Sequence, residues 1–194
     1  MWERRVGDLP RADLIVAHAR KRSCKAAHGG ERSCGGRKPE NSHPLVAVLG
    51  GRVWALAHNG SVSKVALRPA GRALGETDSE ALFLHLLGRI PADGGPGEVL
   101  EAVLSELEEL GEAVESAANL ILTDGERLYG ARWLGPEGRE KREWYSLHFR
   151  VDGATGWISS QPILGPGWTP LEDRSGVALW LSDSGRVRAV SVVL

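Results

Sequence analysis

The spacing of hydrophobic and polar positions changes period several times along this chain, and each change marks an element. Residues 13–20, DLIVAHAR, are a short apolar run that closes on polar groups, the pattern of a buried strand. Residues 21–44 are rich in Gly, Ser, Lys and Arg, end in ENSHP, and read as a long loop. LVAVL (45–49), the turn Gly50-Gly51 and RVWALAH (52–58) read as a hairpin, after which HNGSVSK breaks the strand. Thr77 with Glu80 three positions on is a capping box, so a helix is expected over 77–90, ended by Pro91. Beyond the link PADGGPG, residues 97–115 put Val99, Leu100, Val103, Leu104, Leu107 and Leu110 on one helical face, with the acids on the other.

The rest of the pattern is β. Hairpins are expected at 118–123/127–134 around Asp124-Gly125, at 143–151/156–161 around Asp152-Gly153, and at 176–182/186–193 around SDSG. Strands, two helices, then more strands, with no repeat and no internal boundary, predict one α+β domain over residues 1–194 with the two helices packed on a sheet.

Composition narrows the classes of partner. A net charge of −1 gives no electrostatic excess for nucleic acid or an anionic membrane. The longest apolar runs, such as Leu45–Leu49, are far too short to span a bilayer. The opening MWERRVGDLPRADL lacks the apolar core of a secretory signal, so a cytoplasmic protein is expected, with its two cysteines, Cys24 and Cys34, in a reducing compartment. Arg outnumbers Lys by 19 to 5, which a GC-rich genome or a preference for guanidinium would explain.

Three clusters at element ends carry candidate chemistry. Arg20, closing the first run, suits a bidentate carboxylate clamp, or equally a surface ion pair. His58-Asn59-Gly60 offers a side-chain amide and a glycine N–H, the donors of an oxyanion hole, or a plain turn. Asp78 in the first turn of the 77–90 helix could hold an ammonium, or simply favour the helix dipole. Cys24, His28 and Cys34, with His18 and His43 nearby, have spacings that match no common zinc module, so no metal is expected. No phosphate-binding glycine loop or dinucleotide fingerprint is present, so no cofactor is expected.

Taken together, IVAHAR, ENSHPL, WALAHNG and GETDSEALFLHLL, in this order, resemble the class II glutamine amidotransferases, which belong to the N-terminal-nucleophile hydrolases. The likeness is to stand-alone bacterial and archaeal members, which include enzymes acting on γ-glutamyl compounds. NLILTDGERLYGARW and ISSQPI resemble later sheet strands of the family, so the resemblance runs over nearly the whole chain. It implies a four-layer αββα sandwich, here incomplete at its N-terminal strands. It also implies that Arg20 holds the substrate α-carboxylate, Asp78 the α-ammonium, and Asn59 with Gly60 the oxyanion, with Thr77 and His58 in the substrate-binding set.

The family's nucleophile is a cysteine at the mature N-terminus, whose own α-amino group acts as base. This sequence begins Met1-Trp2, and Cys24 and Cys34 are both internal. Three expectations follow. The chain is a glutamine or γ-glutamyl amide hydrolase read without its first segment; or it is a non-catalytic relative that binds an amino-acid or γ-glutamyl ligand; or it is a subunit completed by a partner chain, or a homo-oligomer, through an open sheet edge.

Overall fold

The computed structural model describes residues 13–19, 24–26, 32–34, 38–163 and 165–194. Its elements are β1 (Cys24–Ala26), β2 (Arg32–Cys34), β3 (Leu45–Leu49), β4 (Arg52–Val62), α1 (Asp78–Leu87), α2 (Pro96–Leu110), β5 (Val114–Thr123), β6 (Arg127–Arg132), the single turn α3 (Pro136–Arg139), β7 (His148–Asp152), β8 (Thr155–Ser159), β9 (Thr169–Pro170), β10 (Ser175–Leu181) and β11 (Val187–Val193). Six strands form one antiparallel sheet in the order β11-β10-β6-β5-β4-β3, and β8-β7-β9 form a second.

Alternation along the strands assigns the faces. Trp54 and Leu56 of β4, Leu120 and Leu122 of β5, and Tyr129 and Ala131 of β6 pack with the apolar faces of α1 and α2 in the main core. Val99, Leu100, Val103, Leu104 and Leu107 of α2 are buried there, as their helical spacing predicts. On the opposite face, Ile121, Leu128, Val177, Leu179 and Val187 meet Leu147, Phe149, Ile158 and Leu171 from the second-sheet side. That cover stops short of the β3–β4 end, where Val46, Val48 and Val53 remain 64%, 73% and 55% exposed.

The turns follow the glycines. Gly50 and Gly51 both have positive φ (59° and 75°), the geometry that favours a two-residue hairpin between β3 and β4. Asp124 caps the β5–β6 turn, where its Oδ1 accepts from the N–H groups of Glu126 and Arg127 (3.0 and 2.7 Å). Burial and the neighbouring Asp124 carboxylate, whose Oδ2 accepts from the Tyr129 hydroxyl, hold that phenol up at about 12.

Several expectations need correction. Residues 13–19 belong to no strand; their burial alternates, but they pair with no ladder. The 21–44 stretch holds the small hairpin β1–β2, with Cys24 opposite Cys34. HNGSV does not break β4 but continues it to Val62. The second helix ends at Leu110, and β5 begins at Val114, four residues before the expected start. Residues 143–147 lie outside β7, while α3 and β9 had no periodic signal because each is too short to show one. The box at α1 is only half formed: Thr77 Oγ1 accepts from the Glu80 N–H (3.1 Å), but the Glu80 carboxylate accepts from Leu74 and Gly75 (2.7 Å each). It thereby fixes the loop entering the helix. Of the four layers in an αββα sandwich, the described residues supply the helix pair and the two sheets; the second helical layer is not among them.

A buried polar contact ties the two helices. His85 Nδ1 accepts from the Arg68 N–H (2.8 Å), so its proton sits on Nε2, which faces Glu106 Oε2 at 3.1 Å. Burial holds the imidazole below the ordinary histidine range, and the Arg89 and Arg68 cations push the same way. The contact is therefore a hydrogen bond from a neutral ring, and the ion pair of Glu106 is with Arg89 (2.9 Å). Below pH 6.5 the unfolded chain binds a proton that the folded ring refuses. The stability from this ring is complete above pH 6.5 and is lost as pH falls through the depressed value. The thermal midpoint is expected to drop between pH 7.5 and 5.5 more steeply in the wild type than in His85→Gln. The difference between the two isolates His85 from Glu106, whose carboxyl is itself raised by burial. Equal slopes would contradict the assignment.

Candidate functional site

The candidate residues converge where β4 and β5 lose register. Gly60 pairs with Ala118, but two residues later Val62 pairs with Val114, so β5 spends four residues against two of β4. Such a bulge re-aims backbone groups and bends the strand. Here it drives the Ala117 carbonyl against β4. A Cβ at position 60 would lie 1.8 Å from Ala117 O, and Gly60 has φ +144°, so only glycine fits. The same carbonyl faces His58 Nε2 at 3.3 Å.

Past the Leu45–Leu56 pair, β4 has no β3 neighbour along its outer edge. Val62 N donates to Asp78 Oδ2 at 3.0 Å, which docks the first turn of α1 onto the end of β4. Asp78 is therefore held two residues beyond Gly60 and three beyond Asn59. Thr77 caps the helix beside it. Asn59 is exposed on the sheet face away from the helices, on the same side as Val53 and Ala55.

His58 lies on the other face. It is 3% exposed, and its Nδ1 lies 3.0 Å from Ser79 Oγ. Because a carbonyl can only accept, the proton is on Nε2 toward Ala117 O, and Nδ1 accepts from the serine hydroxyl. The ring is a brace between β4, β5 and α1 and does not reach the face that presents Asn59. The His58 backbone N–H donates to His43 Nδ1 (3.2 Å), where Pro44 interrupts the chain just before β3. The His18 ring lies 4.7 Å from that of His43, bringing the 13–19 segment to this corner. Arg20 and His28 lie outside the described residues.

Ser79 and Asn119 carry no role in the sequence pattern, and His43 enters there only as a possible metal ligand. Asn119 is buried directly opposite Asn59 in the ladder. Its signal was a lone polar residue inside the apolar run of β5. A cavity of about 360 Å³, lined by Arg132, Arg142, Ser146 and His148 among others, adjoins this region but contains none of the clustered residues Asn59, Gly60 and Asp78. Among the described residues, no group of three or more His, Cys, Asp or Glu side chains converges as a metal site would require, and no helix is long and apolar enough to cross a membrane.

The antiparallel α+β sandwich and the order of these elements define a class. Residues 6–133 match the class-II glutamine amidotransferases, and the chain belongs to that family. It is 32% identical over 123 residues to the Escherichia coli (strain K12) protein named "Putative glutamine amidotransferase YafJ", a match covering 60% of this chain and 48% of that one. It is 31% identical over 147 residues to a Methanocaldococcus jannaschii protein, MJ1515, covering 72% of this chain and 35% of the other. The chain thus spans half or less of the length of these relatives. Among solved structures it is similar to a predicted glutamine amidotransferase from Pseudomonas aeruginosa (TM-score 0.57, 26% identity, 77% of this chain and 65% of that one). The fold is also shared with the glutamine phosphoribosylpyrophosphate amidotransferase of B. subtilis (TM-score 0.54, 17% identity, 80% and 32% covered).

Gly60→Ala is expected to cost about 3 kcal/mol or more, because the added methyl meets backbone and not a movable side chain. Urea unfolding measures it. A loss under about 0.5 kcal/mol, the range of neutral surface changes, would show that Gly60 and Ala117 do not approach this closely.

Proposed function

We propose that this chain carries the glutamine-reading part of an amide hydrolase, acting on glutamine or another γ-glutamyl amide. Asp78 would take the α-ammonium, Arg20 the α-carboxylate, and Asn59 Nδ2 with the Gly60 N–H the carbonyl oxygen as it gains charge. The observation that supports this reading most is the hydrogen bond from Val62 to Asp78, which sets an acid close along the strand from two candidate amide donors. Asn59 and Val62 are about 10 Å apart along an extended strand. That span is comparable with an extended glutamine side chain and a hydrogen bond at each end.

Turnover needs a thiolate and a base within hydrogen-bond reach of each other. Cys24 and Cys34 are internal and have no α-amino group of their own to serve as base. We therefore assign the hydrolytic step to a nucleophile other than these two. The recognition residues can be tested without it. A second reading, a binding protein without turnover, uses the same residues and differs only in releasing no ammonia.

Asp78→Asn keeps an acceptor for the Val62 N–H but removes the charge that would face the ammonium. Calorimetric titration with L-glutamine should show binding weakened at least about tenfold, the scale of a charged hydrogen bond. The unfolding midpoint should stay near that of the wild type. Unchanged affinity would sink the role given to Asp78.

A further inference from the structure

Asn119 stands directly opposite Asn59 across β4 and β5, so the two side chains leave the same face of the sheet with Cβ atoms about 5 Å apart. Asn119 is 5% exposed. Its Nδ2 donates to the Ser146 carbonyl at 3.4 Å. A carbonyl only accepts, so this contact fixes which way the amide points. Oδ1 faces the other way, is buried, and has no donor among the described residues. A buried acceptor left without a donor is costly and uncommon.

The amide is not free to turn over and relieve this. Ser146 Oγ donates to Ser160 O (2.7 Å). The buried Arg132 guanidinium grips the same loop, with Nε donating to Tyr145 O (2.8 Å) and Nη2 to Arg142 O (3.1 Å), and its Nη1 donates to Leu171 O (2.8 Å) just past β9. The loop that presents the Ser146 carbonyl is therefore pinned, and the Asn119 acceptor with it.

We propose that Asn119 Oδ1 accepts an N–H of the ligand's side-chain carboxamide and so distinguishes an amide from the corresponding acid. This rests on the glutamine reading above. A carboxamide has one acceptor and one donor end. Asn59 and Gly60 offer donors to its oxygen, and Asn119, on the next strand, offers an acceptor to its nitrogen. A carboxylate in the same place turns an oxygen toward Asn119 Oδ1, and two acceptors face each other with no proton between them. Sites built around a buried hydrogen-bonding group reject analogues that cannot pair it. The acid left by hydrolysis is disfavoured for the same reason, which helps it leave.

The test is calorimetric titration of the whole chain with L-glutamine and with L-glutamate, at one pH near neutrality. The wild type should prefer glutamine by about tenfold or more, the scale of one buried hydrogen bond. Asn119→Leu should bring the ratio of the two affinities toward one. Asn119→Ala serves if the leucine variant does not fold. Asn119→Asp should keep the preference: protonated, it donates to Ser146 O and leaves a carbonyl toward the ligand; ionised, it still presents an oxygen. A purely structural role would weaken both ligands alike and leave the ratio unchanged. An unchanged ratio in the apolar variants, or no preference in the wild type, overturns the proposal. Asp78→Asn, run in parallel, should weaken both ligands equally. If it does while the Asn119 variants keep the ratio, the glutamine reading stands and only the Asn119 assignment fails. If the wild type binds neither ligand, both fail.

Discussion

The Ala117 carbonyl is the point on which the site geometry turns. It projects from the β5 irregularity into β4, where it excludes any side chain at position 60 and faces the His58 ring. Remove that projection and β4 could pair regularly with β5 to its end. The Val62 N–H faces the outer edge of β4, past the Leu45–Leu56 pair where β3 begins, and there Asp78 supplies its acceptor. The irregularity converts a sheet edge into a corner at which a strand, a bulge and a helix start meet. Backbone polar groups must be paired when buried, and here the pairing of one of them delivers a carboxylate.

Burial around this corner is uneven, in a way that suits binding. On the helix side, His58, Ser79 and the main core make a dry, braced foundation. On the other side Asn59 is exposed, and the second-sheet cover reaches as far as Ile121 of β5 but not the β3–β4 end. The same open stretch exposes Val46, Val48 and Val53. A rigid wall behind and open space in front is the arrangement in which a few polar groups can orient a small ligand.

Much of this was legible in the sequence, and the remainder failed for physical reasons. Asp124-Gly125, Gly50-Gly51 and the face of α2 were readable because each is local: a turn residue or a helical period declares itself within a few positions. The extension of β4 through Asn59-Gly60 was not, since Asn-Gly signals a turn and only the facing bulge in β5 makes a kinked strand out of it. Glu80 was correctly marked as a helix-start residue, but its carboxylate serves the Leu74–Gly75 backbone, a choice set by how the loop arrives. Alternation puts His58 on the helix face, one position away from the face of Asn59, a difference that the adjacent letters His-Asn do not declare. Asn119 drew no attention because a single polar residue in an apolar strand has meaning only once its cross-strand neighbour is known.

We propose that the β4–β5 corner holds both ends of a glutamine-like ligand. A crystal structure of the chain with L-glutamine tests it most directly. The ligand's ammonium is expected at the Asp78 carboxylate and its side-chain carbonyl oxygen at Asn59 Nδ2 and the Gly60 N–H. Glutamine bound elsewhere, or with its amide directed away from Asn59, would contradict it.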